Sequence, residues 1–431
     1  MRIKYFKEVK ITFPCSIVTF LIIGAISIFF IVQEQRERIY SLNLTHWFFI
    51  IVFFFITPLI QYSFGNFPLW LSKEEGFSIC STNLLILTWL VFYQLGYSIK
   101  KKRLDDLFSS LKRLEIGKRG VYFSIYLSFI IFIAFLLVFG AKNLLIRGAY
   151  REVLVSIPYN PLMIIIDKFF RFIPLLSLAG LIILKNKWAN KLEWRILLLA
   201  LILINLLVNN PLATPRYWAG TIILGFTAML LKKLNRGKGF LAAMLLIGML
   251  FIFPLTHVLR YRTAETVSLS DLRFGELKTA YTSPHFDAYE MSVHTIQYVA
   301  KEGITWGKQL AGPLLFWIPR ALWKGKPVGS GGTVAIYFSY PQTNLSCPLP
   351  FEGYINFGLI GLTLFAVLTG VLFSLLDAYH WKISTSASTD IISLYYPFFL
   401  GFSLFAMRGD LMSSFSYTIM FIAAGLILLV K

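Results

Sequence analysis

The densest group of residues that could do chemistry lies in a short stretch where three cations alternate with two indoles and two prolines. Its cations and indoles are Trp317, Arg320, Trp323, Lys324 and Lys326. Guanidinium and ammonium groups are the usual partners of phosphates. Sugar rings stack on aromatic faces, and indoles also anchor proteins at the level of lipid headgroups. The stretch predicts contacts to a phosphorylated sugar, with a simple headgroup anchor as the alternative.

A glycine-rich run and a carboxylate follow this stretch. Residues 329–332 read Gly-Ser-Gly-Gly, whose backbone N–H groups could cradle an anion, although a flexible turn is the simpler interpretation. Glu352 stands at the entry to an apolar segment, where an acid either stabilises a helix N-terminus or accepts a proton. Asn344 and Tyr354 lie close by in the sequence and are further candidate substrate contacts.

Two more arginines stand between apolar segments. Arg216 follows Pro211 and Pro215 in what we predict to be a tight hairpin. Its guanidinium either contacts a ligand or snorkels to the membrane interface. Arg408 opens an Arg-Gly-Asp turn at 408–410, for which a salt-bridged turn is the alternative to a ligand contact.

A separate charged group opens one predicted membrane span. It consists of Asp167, Lys168 and Arg171. Because an acid can pair with a base one helical turn away, we favour an internal ion pair with an interface charge over a ligand contact.

Residues 283–300 predict a single helix, capped by Ser283 with Pro284 at its first position. Two side chains on this helix, Asp287 and His294, could act as proton acceptors.

Several common catalytic motifs are absent from the sequence. It contains no phosphate-binding Walker loop, dinucleotide-binding glycine motif, HExxH, paired CxxC or serine-hydrolase elbow. We therefore expect no cofactor and no required metal. The absences weaken the case for ATP-driven pumps, metalloproteases and nucleotide-sugar transferases.

The elements that must position these residues are membrane helices. Of 431 residues, 57% are hydrophobic and 14% are charged, whereas soluble domains are about 25% charged. Apolar runs of about 20 residues match the hydrocarbon thickness of a bilayer. The fold class is therefore all-α, a polytopic transmembrane bundle. The predicted spans are 12–32, 47–64, 79–97, 121–140, 165–184, 195–210, 214–231, 239–259, 353–376, 391–407 and 413–430.

Charge predicts the topology. The formal charge is +20, and basic residues crowd three short connections near 100–119, 185–195 and 232–238, which we place in the cytoplasm. This pattern indicates membrane topology rather than nucleic-acid binding. The predicted domains are an N-terminal transmembrane bundle (1–259), a large periplasmic loop carrying short helices (260–350) and C-terminal transmembrane helices (351–431).

The N-terminus does not fit that topology. Its four basic residues favour the cytoplasm, but three spans precede the first basic connection and place it outside. A twelfth crossing between 47 and 78 would resolve the conflict. The three cysteines are far apart in the sequence and predict neither a disulfide framework nor a zinc site.

At these residues the chain resembles the Wzy-type oligosaccharide repeat-unit polymerases, commonly called O-antigen polymerases. The resemblance rests on IPR-x-x-W-x-x-KP at 318–327, on the Glu-Gly-Tyr-Ile-Asn-Phe-Gly entry at 352–358 and on the turn at 408–410. The layout of eleven or twelve spans with one long outer loop also agrees.

The resemblance implies a glycosyltransferase of lipopolysaccharide biosynthesis in the bacterial inner membrane, with its active site facing the periplasm. It would join oligosaccharide repeat units carried on undecaprenyl diphosphate into a polysaccharide. Further partners would be membrane lipids and a chain-length regulator protein. No binding to nucleic acid is expected.

This chemistry assigns roles to the candidate residues. Departure of the diphosphate leaves negative charge, which needs fixed cations, and the acceptor hydroxyl needs a base. We expect the diphosphate to be bound by Arg216, Arg320, Lys326 and Arg408. Glu352 is the first candidate for the base, with Asp287 and His294 as reserves. Trp317 and Trp323 would flank the sugar.

Three alternatives stay open. An O-antigen ligase would use the same donor with lipid A core as the acceptor. A lipid-linked oligosaccharide flippase or other transporter should show repeated halves and charges spread through its spans. A structural scaffold would need no particular charges in the outer loop.

Overall fold

The computed structural model describes residues 2–72, 75–99, 114–141, 144, 161–211, 213–234, 239–252, 280–383 and 389–430. The basic residues between 100 and 113 and the predicted loop residues 260–279 lie outside this described part, as do residues 145–160.

Helices are the regular secondary structure of the described part, which contains no strand beyond one isolated bridge between Glu115 and Asp390. Its first eight helices are α1 (Arg2–Glu37), α2 (Leu42–Phe64, with a π-helical middle), α3 (Gly76–Ser98), α4 (Lys118–Phe139), α5 (Pro161–Ile183), α6 (Lys191–Val208), α7 (Arg216–Leu234) and α8 (Phe240–Ile247). The remaining six are α9 (Ala288–Glu302), α10 (Lys308–Leu314), α11 (Ser330–Tyr337), α12 (Leu349–Ala378), α13 (Ile391–Arg408) and α14 (Leu411–Gly425).

Seven of these described helices are long and apolar enough to cross a membrane: α1 from Cys15, α2, α3, α4, α12, α13 and α14, the last through Leu429. The polytopic helical character is therefore confirmed. Helices α5, α6 and α7 also coincide with predicted spans, although they are not among the seven. The total of eleven or twelve spans stays a prediction.

The described residues form three apolar cores, and the two largest share α13. The first core includes Trp47, Trp89 and Phe351, and the second includes Phe172 and Phe421. Helix α13 contributes residues to both, because apolar side chains surround it on more than one face. Its contribution to the first core is Tyr396, Leu400 and Met407, and to the second Ile391, Leu394, Tyr395, Phe398 and Phe402.

Helices α3 and α12 cross closely because both have a glycine at the contact. A Cβ placed on Gly370 would lie 2.3 Å from the carbonyl oxygen of Tyr93, and one on Gly96 would lie 2.4 Å from that of Val367. Only a residue without a side chain allows backbones to approach this closely. The crossing fixes the long part of α12 against the first core, and a break in the helix at Phe357 and Gly358 separates this part from the first turn, which carries Glu352.

The connections at one end of the bundle include the described basic segments. The backbone N–H of Ile116 donates to Thr389 O at 2.8 Å, and Lys187 Nζ reaches the Thr389 hydroxyl at 3.5 Å. Lys232 Nζ donates to His380 O at 3.5 Å. The predicted grouping of these basic connections on one side agrees with this arrangement.

A buried acid, Asp377, joins several helices at the same end. Asp377 accepts hydrogen bonds from Leu42 N at 2.8 Å and from the Tyr97 hydroxyl at 2.9 Å, and it also accepts from the Tyr396 hydroxyl. Arg38 lies 3.6 Å from the Asp377 carboxylate. The contacts join the α1–α2 connection to α3, α12 and α13.

The start of α1 lies at the opposite end, together with residues 280–356. Ser16 Oγ donates to Gly76 O at 3.5 Å, and the rings of Phe20 and Tyr289 are 5.3 Å apart. Helix α2 runs to Phe64, and the chain enters α3 without another crossing. The described residues between 47 and 78 hold one crossing, so they do not contain the twelfth crossing that would have resolved the conflict at the N-terminus, and three helices precede residue 100.

Two local predictions were wrong. Residues 284–286 form a separate 3₁₀ turn, and α9 begins only at Ala288, with Asp287 in the capping position. Cys15 and Cys80 form a disulfide, because α1 and α3 run side by side and bring their Cα atoms to 6.1 Å across a separation of 65 residues. Cys347 is free and buried.

The glycine crossing generates a stability prediction. Replacing Gly370 by Ala should lower the free energy of unfolding by about 1–3 kcal/mol, because the added methyl overpacks the contact. Gly220→Ala on α7 is the matched control, since a Cβ there meets nothing within 4 Å. Thermal unfolding in detergent measures both, and equal melting temperatures for the two variants would contradict the crossing.

Candidate functional site

The turn between α13 and α14 connects three of the candidate residues, Arg408, Asp287 and Glu352. Arg408 ends α13, and Asp410 caps α14 by accepting a hydrogen bond from Met412 N at 2.7 Å. Gly409 between them has a φ of +77° and packs against the Cys347 backbone so closely that no side chain would fit. The turn therefore directs Arg408 and Asp410 into two different sets of contacts.

Arg408 faces the beginning of α9. Its Nη2 donates to the Asp287 carboxylate at 2.8 Å and to His285 O at 3.2 Å. Asp287 is 1% exposed and also accepts from Ser346 N at 2.9 Å and from the Ser346 hydroxyl. Both carboxylate oxygens of Asp287 are therefore occupied, and the residue fastens three chain segments together.

Glu352 lies on the other side of the turn, where three helices begin. Its carboxylate accepts from the Ser330 hydroxyl at 2.6 Å and from Leu411 N at 2.9 Å. Ser330 is the first residue of α11, Leu411 is the first residue of α14, and Glu352 itself lies in the first turn of α12. Converging helix N-termini favour a negative charge, so the local structure is suited to hold this acid.

Asp410 lies beside Glu352, and the two carboxylates interact electrostatically. A Cβ on Gly329 would lie 1.6 Å from an Asp410 carboxylate oxygen. The backbone of Gly331 donates a hydrogen bond to the same carboxylate. The glycine-rich run does cradle anions, but those anions are the protein's own carboxylates.

Burial raises the pKa of Asp410 to about 6, while hydrogen bonds from the backbones of Met412, Ser413 and Gly331 oppose this shift. A carboxyl group with a pKa near the working pH can take up and release a proton efficiently. Asp410 is partly exposed, whereas Glu352 is 2% exposed. Asp410 is therefore the more accessible acid of the pair.

The segment at 316–327 closes on itself through its cations. Arg320 donates to the carbonyls of Lys326 at 2.6 Å and Pro327 at 3.2 Å. Lys326 Nζ donates to the carbonyls of Phe316 at 2.8 Å and Ile318 at 2.9 Å. These acceptors are neutral carbonyls, so they do not cancel the positive charges of Arg320 and Lys326. The charge of Arg408, in contrast, is cancelled by the carboxylate of Asp287.

Helix α10, which precedes this closed segment, packs against the start of α14 and against the end of the segment. A Cβ on Gly312 would touch Met412 and would lie 3.3 Å from the Pro327 ring. Trp317 is 55% and Leu322 is 83% exposed. The outward apolar side chains fit the headgroup-anchor alternative, while Gly329, two residues after the segment, contacts Asp410 of the turn.

Arg216 begins α7, which runs antiparallel to α13. The ring of its neighbour Tyr217 stacks on Phe405 at 3.9 Å, and a Cβ on Gly401 would contact Thr221. This pairing places Arg216 at the same end as Arg408.

The charges near the start of α5 form the ion pair that we favoured. Asp167 contacts Lys168 Nζ and Arg171 Nε, each at 3.0 Å. The Lys168 ammonium also lies 5.8 Å from the centre of the Tyr417 ring.

Three further predicted site residues lie apart from the turn. His294 is buried against Phe338 and pairs with the Tyr340 hydroxyl at 2.9 Å. Tyr354 packs beside Phe351 against the first core, and Asn344 is exposed. The structure therefore does not bring these residues to Glu352 through any direct contact that it describes.

Sequence reasoning did not identify four important contributors. Ser330 and Ser346 donate to the two acids, and Asp410 itself was taken only as part of a turn. Glu290 binds Leu69 N and Leu71 N, both at 2.6 Å, and fastens the loop before α3. An acid directly before an apolar run is a helix-cap signal, so the role of Asp410 as a cap could have been predicted.

Among the described residues, no three His, Cys, Asp or Glu side chains come together as a metal site would require. Comparison of the chain with protein-family models, with curated proteins and with solved structures finds no match in any of the three. Geometry and charge at this end of the molecule are therefore what bear on function.

The contact between Asp287 and Arg408 predicts coupled stability. Arg408→Gln should lower the free energy of unfolding by about 1–3 kcal/mol, because it leaves a buried carboxylate with one fewer donor. Asp287→Asn combined with Arg408→Gln should cost less than the sum of the single changes. Chemical unfolding of the four proteins measures this coupling, and strictly additive losses would contradict it.

His294 predicts a pH-dependent stability. Burial lowers its pKa to about 4, below its ordinary value of about 6.5. Protons therefore bind His294 more tightly in the unfolded chain than in the folded protein. The free energy of unfolding should decrease by on the order of 3 kcal/mol as pH falls from about 6.5 towards 4. Melting temperatures of wild type and His294→Phe should converge over this range, whereas parallel profiles would count against it.

Proposed function

We propose that the protein is a glycosyltransferase of the O-antigen polymerase type. It joins oligosaccharide repeat units carried on undecaprenyl diphosphate, at the periplasmic face of the bacterial inner membrane. The observation that carries this proposal is the turn at 408–410. One end of an apolar helical bundle brings an arginine and two neighbouring acids together there, beside a cation-rich segment bearing exposed apolar side chains.

The cations support a phosphorylated lipid donor. Arg320 and Lys326 bond only to carbonyl oxygens among their described contacts, so their charges stay available to an anion. Arg408 keeps a buried Nε with no hydrogen-bond partner in the described structure, and a buried unmet donor favours an incoming acceptor. Arg216 at the same end is a fourth contributor.

The acids support proton removal from an acceptor hydroxyl. Asp410 is the base in this scheme because it is the more accessible carboxylate, and Glu352 is the buried acid that holds the local geometry. The glycosidic bond from the sugar to the donor diphosphate breaks, and its electron pair leaves with the diphosphate. The acceptor oxygen forms the new bond to the same sugar carbon and gives its proton to Asp410.

The substitution Asp410→Asn and the pH dependence of the wild-type protein test the proposal. Asp410→Asn should keep the cap on α14, because Asn is also a good N-cap residue, yet slow glycan extension on the order of 100-fold through loss of the base. Extension by wild type should rise with pH through about 6, as Asp410 loses its proton. The assay uses purified protein and undecaprenyl-diphosphate-linked repeat units without ATP.

Glu115→Gln at the opposite end is the matched control and should extend glycans at the wild-type rate. Failure of wild type to extend glycans would overturn the proposal. Transfer to lipid A core instead of to a second repeat unit would indicate the ligase.

A further inference from the structure

A cavity of about 420 Å³ opens beside the site, between the end of α9, the start of α10 and the segment leading into α11. This volume lies within the range of small-molecule sites. The polar side chains that line it are Tyr298, Glu302, Thr305, Lys308, Gln309 and Thr333. We propose that it binds one sugar unit of the lipid-linked glycan, an inference that rests on the proposed function.

Gln309 is the strongest indication of a ligand. It is 6% exposed and lines the cavity, and its Nε2 donates to the Thr333 hydroxyl at 3.0 Å. That hydroxyl gives its own proton to Gly329 O at 3.3 Å, so it can only accept from Gln309. The amide oxygen of Gln309 therefore points away from Thr333, and it has no partner in the described structure. A buried acceptor without a donor is costly, and a ligand hydroxyl would satisfy it.

The charged groups of the cavity match a sugar better than an anion. Glu302 and Lys308 both line it, and the described structure gives neither of them an ion pair. A phosphate near Lys308 would also meet the like charge of Glu302, which opposes binding. An apolar occupant would leave Gln309 unsatisfied. Sugar hydroxyls both donate and accept, so one ring can serve the carboxylate, the ammonium and the amide oxygen together.

The indole of Trp323 lies near the wall of the cavity at Gly325, although Trp323 does not itself line the cavity. A Cβ placed on Gly325, which lines the cavity, would lie 4.0 Å from Trp323 Nε1 and would meet nothing closer. Indole faces are favourable surfaces for sugar rings. The same geometry shows that position 325 has room for a larger side chain at the wall of the cavity.

The cavity is connected directly to the acids. Thr333 lies one helical turn after Ser330 on α11, and Ser330 binds Glu352. Thr305, on the opposite wall, donates its backbone N–H to Ile355 O at 2.9 Å, on the same helix as Glu352. A sugar in the cavity would therefore be a near neighbour of the reacting unit.

Saturation-transfer NMR on the full-length protein in lipid nanodiscs tests the site. The probes are the methyl glycosides of glucose, galactose, rhamnose and N-acetylglucosamine. We expect at least one probe to bind wild type, and Gln309→Leu to weaken that binding about fivefold by removing the acceptor. Gly325→Leu, which places a bulky side chain at the wall of the cavity, should abolish it.

Lys301→Gln is the matched control, since Lys301 is exposed next to Glu302 but does not line the cavity. It should bind the probe as wild type does. Binding of no probe, or equal binding by all four proteins, would overturn the proposal.

Glycan extension measured on the same proteins separates the two proposals. If wild type binds a probe, Gly325→Leu does not bind it and wild type extends no glycan, the sugar site is supported and the polymerase is refuted. Extension by Gly325→Leu at the wild-type rate would refute the sugar site and leave the polymerase standing.

Discussion

The carboxylate of Glu352, held between the Ser330 hydroxyl and Leu411 N, is the contact on which this end of the molecule depends. Three helices begin around it. The N–H groups at their N-termini carry partial positive charges, which would repel one another without an anion between them. Asp410 supplies a second negative charge, and Gly329 leaves the space for it. The acids of the site are therefore also what allows α11, α12 and α14 to start side by side.

Charge is distributed unevenly around this contact. The positive charge of Arg408 is cancelled by Asp287, and the Asp287 carboxylate is fully occupied. The charges of Arg320 and Lys326 face neutral carbonyls instead and extend into the surroundings. In the proposed function, these uncompensated cations and the unused Nε of Arg408 would contact the negatively charged donor.

Helix α13 connects the two ends of the bundle and has hydrogen-bonded contacts at both. Its N-cap Asp390 accepts from Ser393 N at 3.3 Å, and its last residue reaches Asp287. Near its beginning, Tyr396 bonds to the buried Asp377. Because it also contributes to the two largest apolar cores, α13 has little freedom to shift. The turn at 408–410 is therefore presented by a helix that is fixed at both ends and along its sides.

Apolar run length and local spacing are enough to predict the helical membrane character, the positions of most helices, the shared end of the described basic connections and the ion pair at Asp167. Residue types and their positions also indicate Arg408 and Glu352 as residues of interest. The partners of these two residues follow from the tertiary structure alone. The contact between Arg408 and Asp287 spans 121 residues and that between Leu411 and Glu352 spans 59. The disulfide between Cys15 and Cys80, the Asp377 contacts and the cavity beside Gln309 likewise come from segments distant in the chain. Such meetings depend on how helices cross, which glycines such as Gly370 permit, and no local pattern of residue types encodes that choice.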